Sequence, residues 1–269
     1  MMAGTAHQQS ERAPTGIEGL DGIIGGGLPR GEIYLVRGGP GTGKTTLGLQ
    51  FLMDGAAKGE TALILTMSQT ESGLRKIAAS HGWSLDGVQV SGQLGAGSGG
   101  DAAEQTIFQT AVVELGETMS SLMAEIERTD PDRVFIDSIG PIRQLADAPL
   151  RYQRQLLSLR DFLSERRATV LIADSNVEPD PALEDLVHGT LVLDRNSPDY
   201  GDARRSVHLT KMRGLSFHGG NHNFRIRTGG LHVFPRLEPC AGKQDLPGEA
   251  VERGSTRSSA GGSRPARPA

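Results

Sequence analysis

Cysteine is all but missing from this 269-residue sequence: Cys240 stands alone, so no intramolecular disulfide can form. That scarcity argues against a cysteine-based zinc cluster and fits a reducing, cytoplasmic setting. Aromatics are sparse as well, with one Trp, three Tyr and seven Phe. The core therefore has to be built from Leu, Ile, Val and Ala. No apolar run approaches the ~20 residues of a membrane span, and the N-terminus carries no apolar signal core. A membrane is excluded as a partner on those grounds. Neither sign of charge dominates, since 28 Lys and Arg against 32 Asp and Glu leave a net charge of -4. No global field recruits nucleic acid or an anionic surface, although a local basic site is left open by this count.

Against these absences stands a complete phosphate-loop motif, Gly38-Gly-Pro-Gly-Thr-Gly-Lys-Thr-Thr46. The apolar run Ile33–Val36 leads in as a strand, and a helical run from Lys44 to about Lys58 leads out. The motif works only at such a strand–loop–helix junction. Backbone N–H groups of Gly41, Thr42, Gly43, Lys44, Thr45 and Thr46 can turn inward around phosphate oxygens, beside a partially positive helix N-terminus. Lys44 can reach the β- and γ-phosphates, and the Thr45 hydroxyl can ligate Mg²⁺. A nucleoside triphosphate, ATP, is the expected ligand.

The length suits one large α/β domain. Met1 to Ala13 is polar and unpatterned and reads as a flexible lead-in to a domain over 14–238. Residues 239–269, rich in Gly, Pro, Ser and Arg, bury too little apolar surface to order themselves and read as a disordered tail. In between, strand-like runs (Thr61–Met67, Arg133–Asp137, Thr169–Ala173) alternate with helical ones. This predicts a mostly parallel central sheet with helices on both faces. From Thr190 onward the spacing shortens, through Thr190–Leu193, Ser206–Lys211, Phe224–Arg227 and Leu231–Phe234, which predicts C-terminal antiparallel strands. Gly92–Asp101, with five glycines, reads as a surface loop.

The apolar strand Val134-Phe135-Ile136 ends in Asp137. A parallel strand would carry that carboxylate to the sheet's carboxyl edge, beside the phosphate loop, where it can hold Mg²⁺ directly or through water. An Asp capping the next turn is the plain alternative; the phosphate loop upstream favours the metal role.

Several stretches now fall in order. They are Thr15 through Leu28-Pro-Arg-Gly31, the phosphate loop, Ala78-Ala-Ser-His-Gly-Trp83, Ile136-Asp-Ser138, Lys211-Met-Arg-Gly214 and Gly229-Gly-Leu-His-Val-Phe-Pro235. Together they resemble the KaiC-like branch of the RecA superfamily, as a single domain of that type over nearly the whole folded region. The resemblance implies a RecA-like P-loop NTPase that assembles with itself, as a hexameric ring or another homo-oligomer, with ATP between subunits. It implies Ser80 and His81 near the adenine. It also implies that a neighbour supplies Lys211, Met212 and Arg213 toward the γ-phosphate, where a cation inserted in trans makes hydrolysis depend on assembly.

One departure bears on rate. Domains of this type end the strand after the phosphate-loop helix in two glutamates; here those positions are Ser68 and Gln69. An amide can orient a water but cannot accept its proton as a carboxylate can. Glu71, two residues on, would serve instead if the loop bends. Slow hydrolysis and pure ATP sensing both remain open, with an unidentified regulatory partner. A DNA-binding role would use the segments Gly140–Tyr152 and Asn176–Val187. The second carries four carboxylates and no Lys or Arg, so nucleic acid is disfavoured. Autophosphorylation lacks an adjacent Ser-Thr pair upstream of Lys211.

Overall fold

Alternating apolar stretches of four to eight residues become strands because both their faces can be covered, and that is how the middle of this chain folds. The computed structural model describes residues 12–92, 107–146, 148–197, 200 and 203–237, with backbone alone for 107–114. In chain order the elements begin with β1 (Arg12–Ala13), α1 (Glu18–Ile23), β2 (Leu28–Pro29), β3 (Ile33–Arg37), α2 (Lys44–Ala57) and β4 (Ala62–Thr66). Next come α3 (Glu71–Ser80), β5 (Val88–Gly92), α4 (Ile107–Thr129), β6 (Arg133–Asp137), α5 (Gly140–Leu145) and α6 (Pro149–Ser164). The chain continues through β7 (Thr169–Asp174), α7 (Pro181–Leu186), β8 (Gly189–Asn196), β9 (Arg204–Met212), β10 (His222–Arg227) and β11 (Gly230–Phe234).

The main sheet has the order β11-β10-β9-β8-β3-β7-β6-β4-β5. From β8 to β5 every pairing is parallel, whereas β8–β9, β9–β10 and β10–β11 are antiparallel. The α/β architecture expected from the alternation is therefore present, with antiparallel strands at its C-terminal end. Every residue of β3, β4, β6 and β7 is buried. Tyr34, Val36, Phe135 and Leu171 face one core layer with α1, α2 and α3. Leu35, Val134, Ile136 and Ile172 face a second layer with α4, α6 and α7. Each fully buried Leu, Ile or Phe contributes about 1.5–3 kcal/mol.

Contacts group the residues up to Arg236 into one unit. The lead-in is shorter than expected at its inner end. Arg12 and Ala13 pair with Pro29 and Leu28, Ala13 is fully buried, and Arg12 donates to the carbonyls of Ile24 and Gly27. The stretch before Arg12, residues 93–101 of the expected glycine-rich loop, and the expected tail 239–269 lie outside the described residues. Among the described residues no helix is long and apolar enough to cross a membrane.

Candidate nucleotide site

The phosphate loop leaves the sheet where β3 ends, with Gly38 N donating to Asp174 O of the neighbouring β7 at 3.1 Å. Gly43 caps α2 at a φ of 110°, and a Cβ there would lie 2.6 Å from Ile226 Cδ1. Only glycine meets both demands. Having no side chain, that cap offers the helix no side-chain acceptor, and the first turn of α2 contains no acidic residue. Two helix starts are closed by side chains, Thr70 Oγ1 accepting from Gly73 N and Asp180 Oδ1 from Ala182 and Leu183, whereas α1, α5 and α6, like α2, have no side-chain cap. The start of α2 thus keeps its first-turn N–H groups and its dipole for an outside anion.

Lys44 is buried at this point, its Nζ on the carbonyls of Gly38 (2.6 Å) and Gly39 (3.0 Å). Burial pushes its pKa down, opposed by the charges of Asp137 and Asp174. A buried ammonium held by two carbonyls, facing uncapped N–H groups, fits a phosphate chain.

The metal side is set by a close approach one turn along. A Cβ on Gly48 would lie 2.3 Å from the Phe135 ring, so glycine lets α2 settle onto β6. Thr45 lies three residues back on the same helix face, and Asp137 two residues on along the same strand face. They meet as Thr45 Oγ1 donates to Asp137 Oδ2 at 2.8 Å. Gln69 joins them, its Nε2 3.3 Å from Asp137 Oδ2 and 3.5 Å from Thr45 Oγ1. Ser68 Oγ donates to the Asp137 carbonyl at 3.4 Å. Burial raises the Asp137 pKa, against the Thr45 hydrogen bond and the Lys44 charge. A hydroxyl, a carboxylate and an amide able to turn its oxygen inward are hard donors that fit Mg²⁺.

Other expected residues sit apart from this cluster. Glu71 opens α3 and pairs with Arg75 one turn on, at 2.8 Å, with both side chains about half exposed. Its carboxylate serves the helix surface, because the loop does not bend back. Ser80 Oγ donates to its own helix at Ile77 O. His81 touches the site indirectly: Nε2 is 3.4 Å from Thr46 Oγ1, Nδ1 is 3.0 Å from Arg227 O, and the ring lies against Trp83.

Lys211, Met212 and Arg213 lie at the far end of the sheet. Lys211 pairs with Thr190, which is level with Leu35 of β3, and Met212 with Gly189, level with Tyr34. Arg213 N donates to His188 O, and His188 N to Ile33 O. Arg213 is thus level with the entry of β3, roughly 13 Å along the strand from its loop end at ~3.3 Å per residue. Lys211 also shares the face of Thr190, which is covered by α7, while α2 covers the opposite face. The last carbonyls of α7 hold both cations, Glu184 O taking Lys211 and Asp185 O taking Arg213. Burial and the neighbouring Arg213 charge lower the Lys211 pKa, while Glu184 and Asp185 act to raise it.

Two features had no clear sequence signal. The segment Gly140–Tyr152, which a DNA-binding role would use, contains α5 and the start of α6. Arg143 there reaches both Asp174 (2.8 Å) and Asp180 (2.8 Å). It thereby ties the strand beside the phosphate loop to the cap of α7. Its guanidinium is spent internally, and Asn176–Val187 likewise contains α7 rather than an open loop. The second is Arg195, whose Nη1 would lie 3.2 Å from a Cβ on Gly41.

Known proteins resemble this chain over most of its length. A profile for the family described as "ATPase: KaiC" matches residues 13–238. The circadian clock oscillator protein KaiC of Synechococcus elongatus is 31% identical over 237 residues, 85% of this chain and 45% of that protein. The chain spans about half the length of the curated KaiC proteins it matches. A UPF0273 protein of Methanopyrus kandleri is 30% identical over 239 residues, 84% of this chain and 92% of the relative. The crystal structure of a KaiC-like protein from Pyrococcus horikoshii is similar at a TM-score of 0.69 and 26% identity, covering 83% of this chain and 99% of that one.

Proposed function

The chain belongs to the KaiC family of ATPases, and from that premise we propose that it binds ATP with Mg²⁺ between two copies of itself and hydrolyses it slowly. The uncapped start of α2 and Lys44 hold the β- and γ-phosphates. Thr45 and Asp137 hold Mg²⁺, which neutralises phosphate charge when bound. Gln69 orients the attacking water without taking its proton, which is why the rate is low. The adenine lies toward Ser80 and His81, and a neighbour brings Lys211 and Arg213 to the γ-phosphate. The assembly, a hexameric ring or another homo-oligomer, would report nucleotide state to a regulatory partner.

The observation that carries this reading is the separation of the two halves. The phosphate loop and the Lys211–Arg213 pair lie at opposite ends of the strands and on opposite faces, so one copy cannot bring both to one nucleotide. A second reading, a sensor that binds ATP without turnover, rests on the amide at Gln69.

Mass in solution with and without ATP and Mg²⁺, measured alongside phosphate release, tests both. The expected result is micromolar ATP binding, about -8 kcal/mol, with assembly and slow release, all lost in Lys44→Ala. Tight binding by a chain that stays monomeric would overturn the shared site. Assembly with no release at all would favour the sensor.

A further inference from the structure

Arginines scattered through the C-terminal strands converge in space. β9 and β10 pair only from His222 to Phe224, so Arg225–Arg227 continue past the last pairing and leave a cleft of about 1050 Å³ between the two hairpins. Arg195, Arg204, Arg205, Arg225 and Arg227 line it, with Phe224 at its side and no acidic residue among the described lining residues. Among the described residues, no hydrogen bond or ion pair reaches any of these guanidinium groups, and Arg205 Nε is buried without a partner. Arg195 and Arg205 also stand directly opposite each other across β8 and β9. Like charges in that position destabilise a sheet, and no carboxylate among the described lining residues relieves them. A buried guanidinium nitrogen with no acceptor adds a desolvation cost.

An oxyanion removes both penalties at once. The planar fork of arginine matches phosphate bidentately, and several forks converge here in a concave space. We propose that this cleft, which adjoins the nucleotide loop, is a second phosphate site that takes a phosphate or pyrophosphoryl group. Arg195 faces both sites, since it lies against Gly41 of the loop. An anion in the cleft is therefore positioned to withdraw Arg195 from the loop or to share it. The group could come from free phosphate or pyrophosphate, or be carried on a larger molecule, and the chemistry of recognition is the same.

The test uses the full chain carrying Lys44→Ala, which silences the nucleotide loop. Thermal melts and calorimetric titrations with sodium phosphate and with pyrophosphate are run at constant ionic strength, so that simple screening is held fixed. Saturable binding with a raised melting temperature is expected, weakened about tenfold or more when Arg204→Gln and Arg205→Gln are added. Arg225→Gln, at an exposed position, gives the same comparison should the double variant fold poorly. Response to free pyrophosphate assigns the site to a free oxyanion. Response only to a phosphorylated peptide or to ATP, lost in the same arginine variants, assigns it to a phosphoryl group on a larger ligand. No saturable response in any arm, or responses equal with and without the arginines, overturns the proposal. Because the loop is silenced throughout, none of these outcomes depends on whether ATP binds there.

Discussion

Gln69 lies within reach of both Thr45 and Asp137, so the chemistry at that point turns on one atom, nitrogen or oxygen. As an amide it donates to the Asp137 carboxylate and leaves that group as the one formal negative charge of the trio. A glutamate would set a second carboxylate about as close. Two such groups repel unless a cation lies between them or one is protonated. Gln69→Glu is therefore expected to tighten Mg²⁺ binding and to raise phosphate release by about 10²-fold, the lower end of what a general base supplies. An unchanged rate at saturating ATP and Mg²⁺ would remove Gln69 from the catalytic position. Lys44 is tuned in the opposite sense: burial lowers its proton affinity, and a bound phosphate would restore it by supplying the missing negative charge.

At the scale of elements, the contact that matters most is α2 on β6. Gly48 allows it, Phe135 fills the space, and the approach brings Thr45 to Asp137 one turn away. Gly48→Ala places a methyl 2.3 Å from an aromatic ring that is itself fully buried. The helix must then move off the strand, at a cost typical of overpacking, about 1–3 kcal/mol. Chemical denaturation should register that loss. Mg²⁺-dependent ATP affinity should fall with it, because the hydroxyl and carboxylate separate. Normal metal dependence in a destabilised variant would mean that the spacing is held by something other than this contact. α7 holds the other half by its two ends. Its cap Asp180 is bound to Arg143, and its final carbonyls carry Lys211 and Arg213.

At the scale of the whole molecule, the phosphate loop and the Lys211–Arg213 pair lie at opposite ends of the strands. Strand direction dictates this, since β8 runs parallel to β3 and β9 returns antiparallel, carrying Lys211 and Arg213 back toward the edge where β3 begins. On the proposed reading, a chain built in this way is incomplete alone and complete when copies stack edge to edge. Mixing Lys44→Ala protein with Arg213→Ala protein should then recover phosphate release that neither variant has separately, at interfaces pairing an intact loop with an intact arginine. A rate that does not vary with mixing ratio would argue that the arginine does not act across the interface.

Most of the fold was legible in the residues, because buried parallel strands write themselves as short apolar runs. Thr61–Met67, Arg133–Asp137 and Thr169–Ala173 fall on β4, β6 and β7 within a residue at each end. Strand β5 was missed, since Val88-Gln-Val-Ser-Gly92 is an edge strand of mixed polarity. Sequence by itself determined the phosphate loop, because its glycines, Lys44 and Thr45 act through backbone and side chains within one short segment. It also marked Asp137 and Gln69, each next to a recognisable strand. Only tertiary structure decided that Glu71 is spent on Arg75, that Arg143 bridges β7 and α7, and that five arginines from three strands share one cleft. Those outcomes depend on strand order, register and the splay of two hairpins. Such relations join residues far apart in the chain, and local spacing does not encode them.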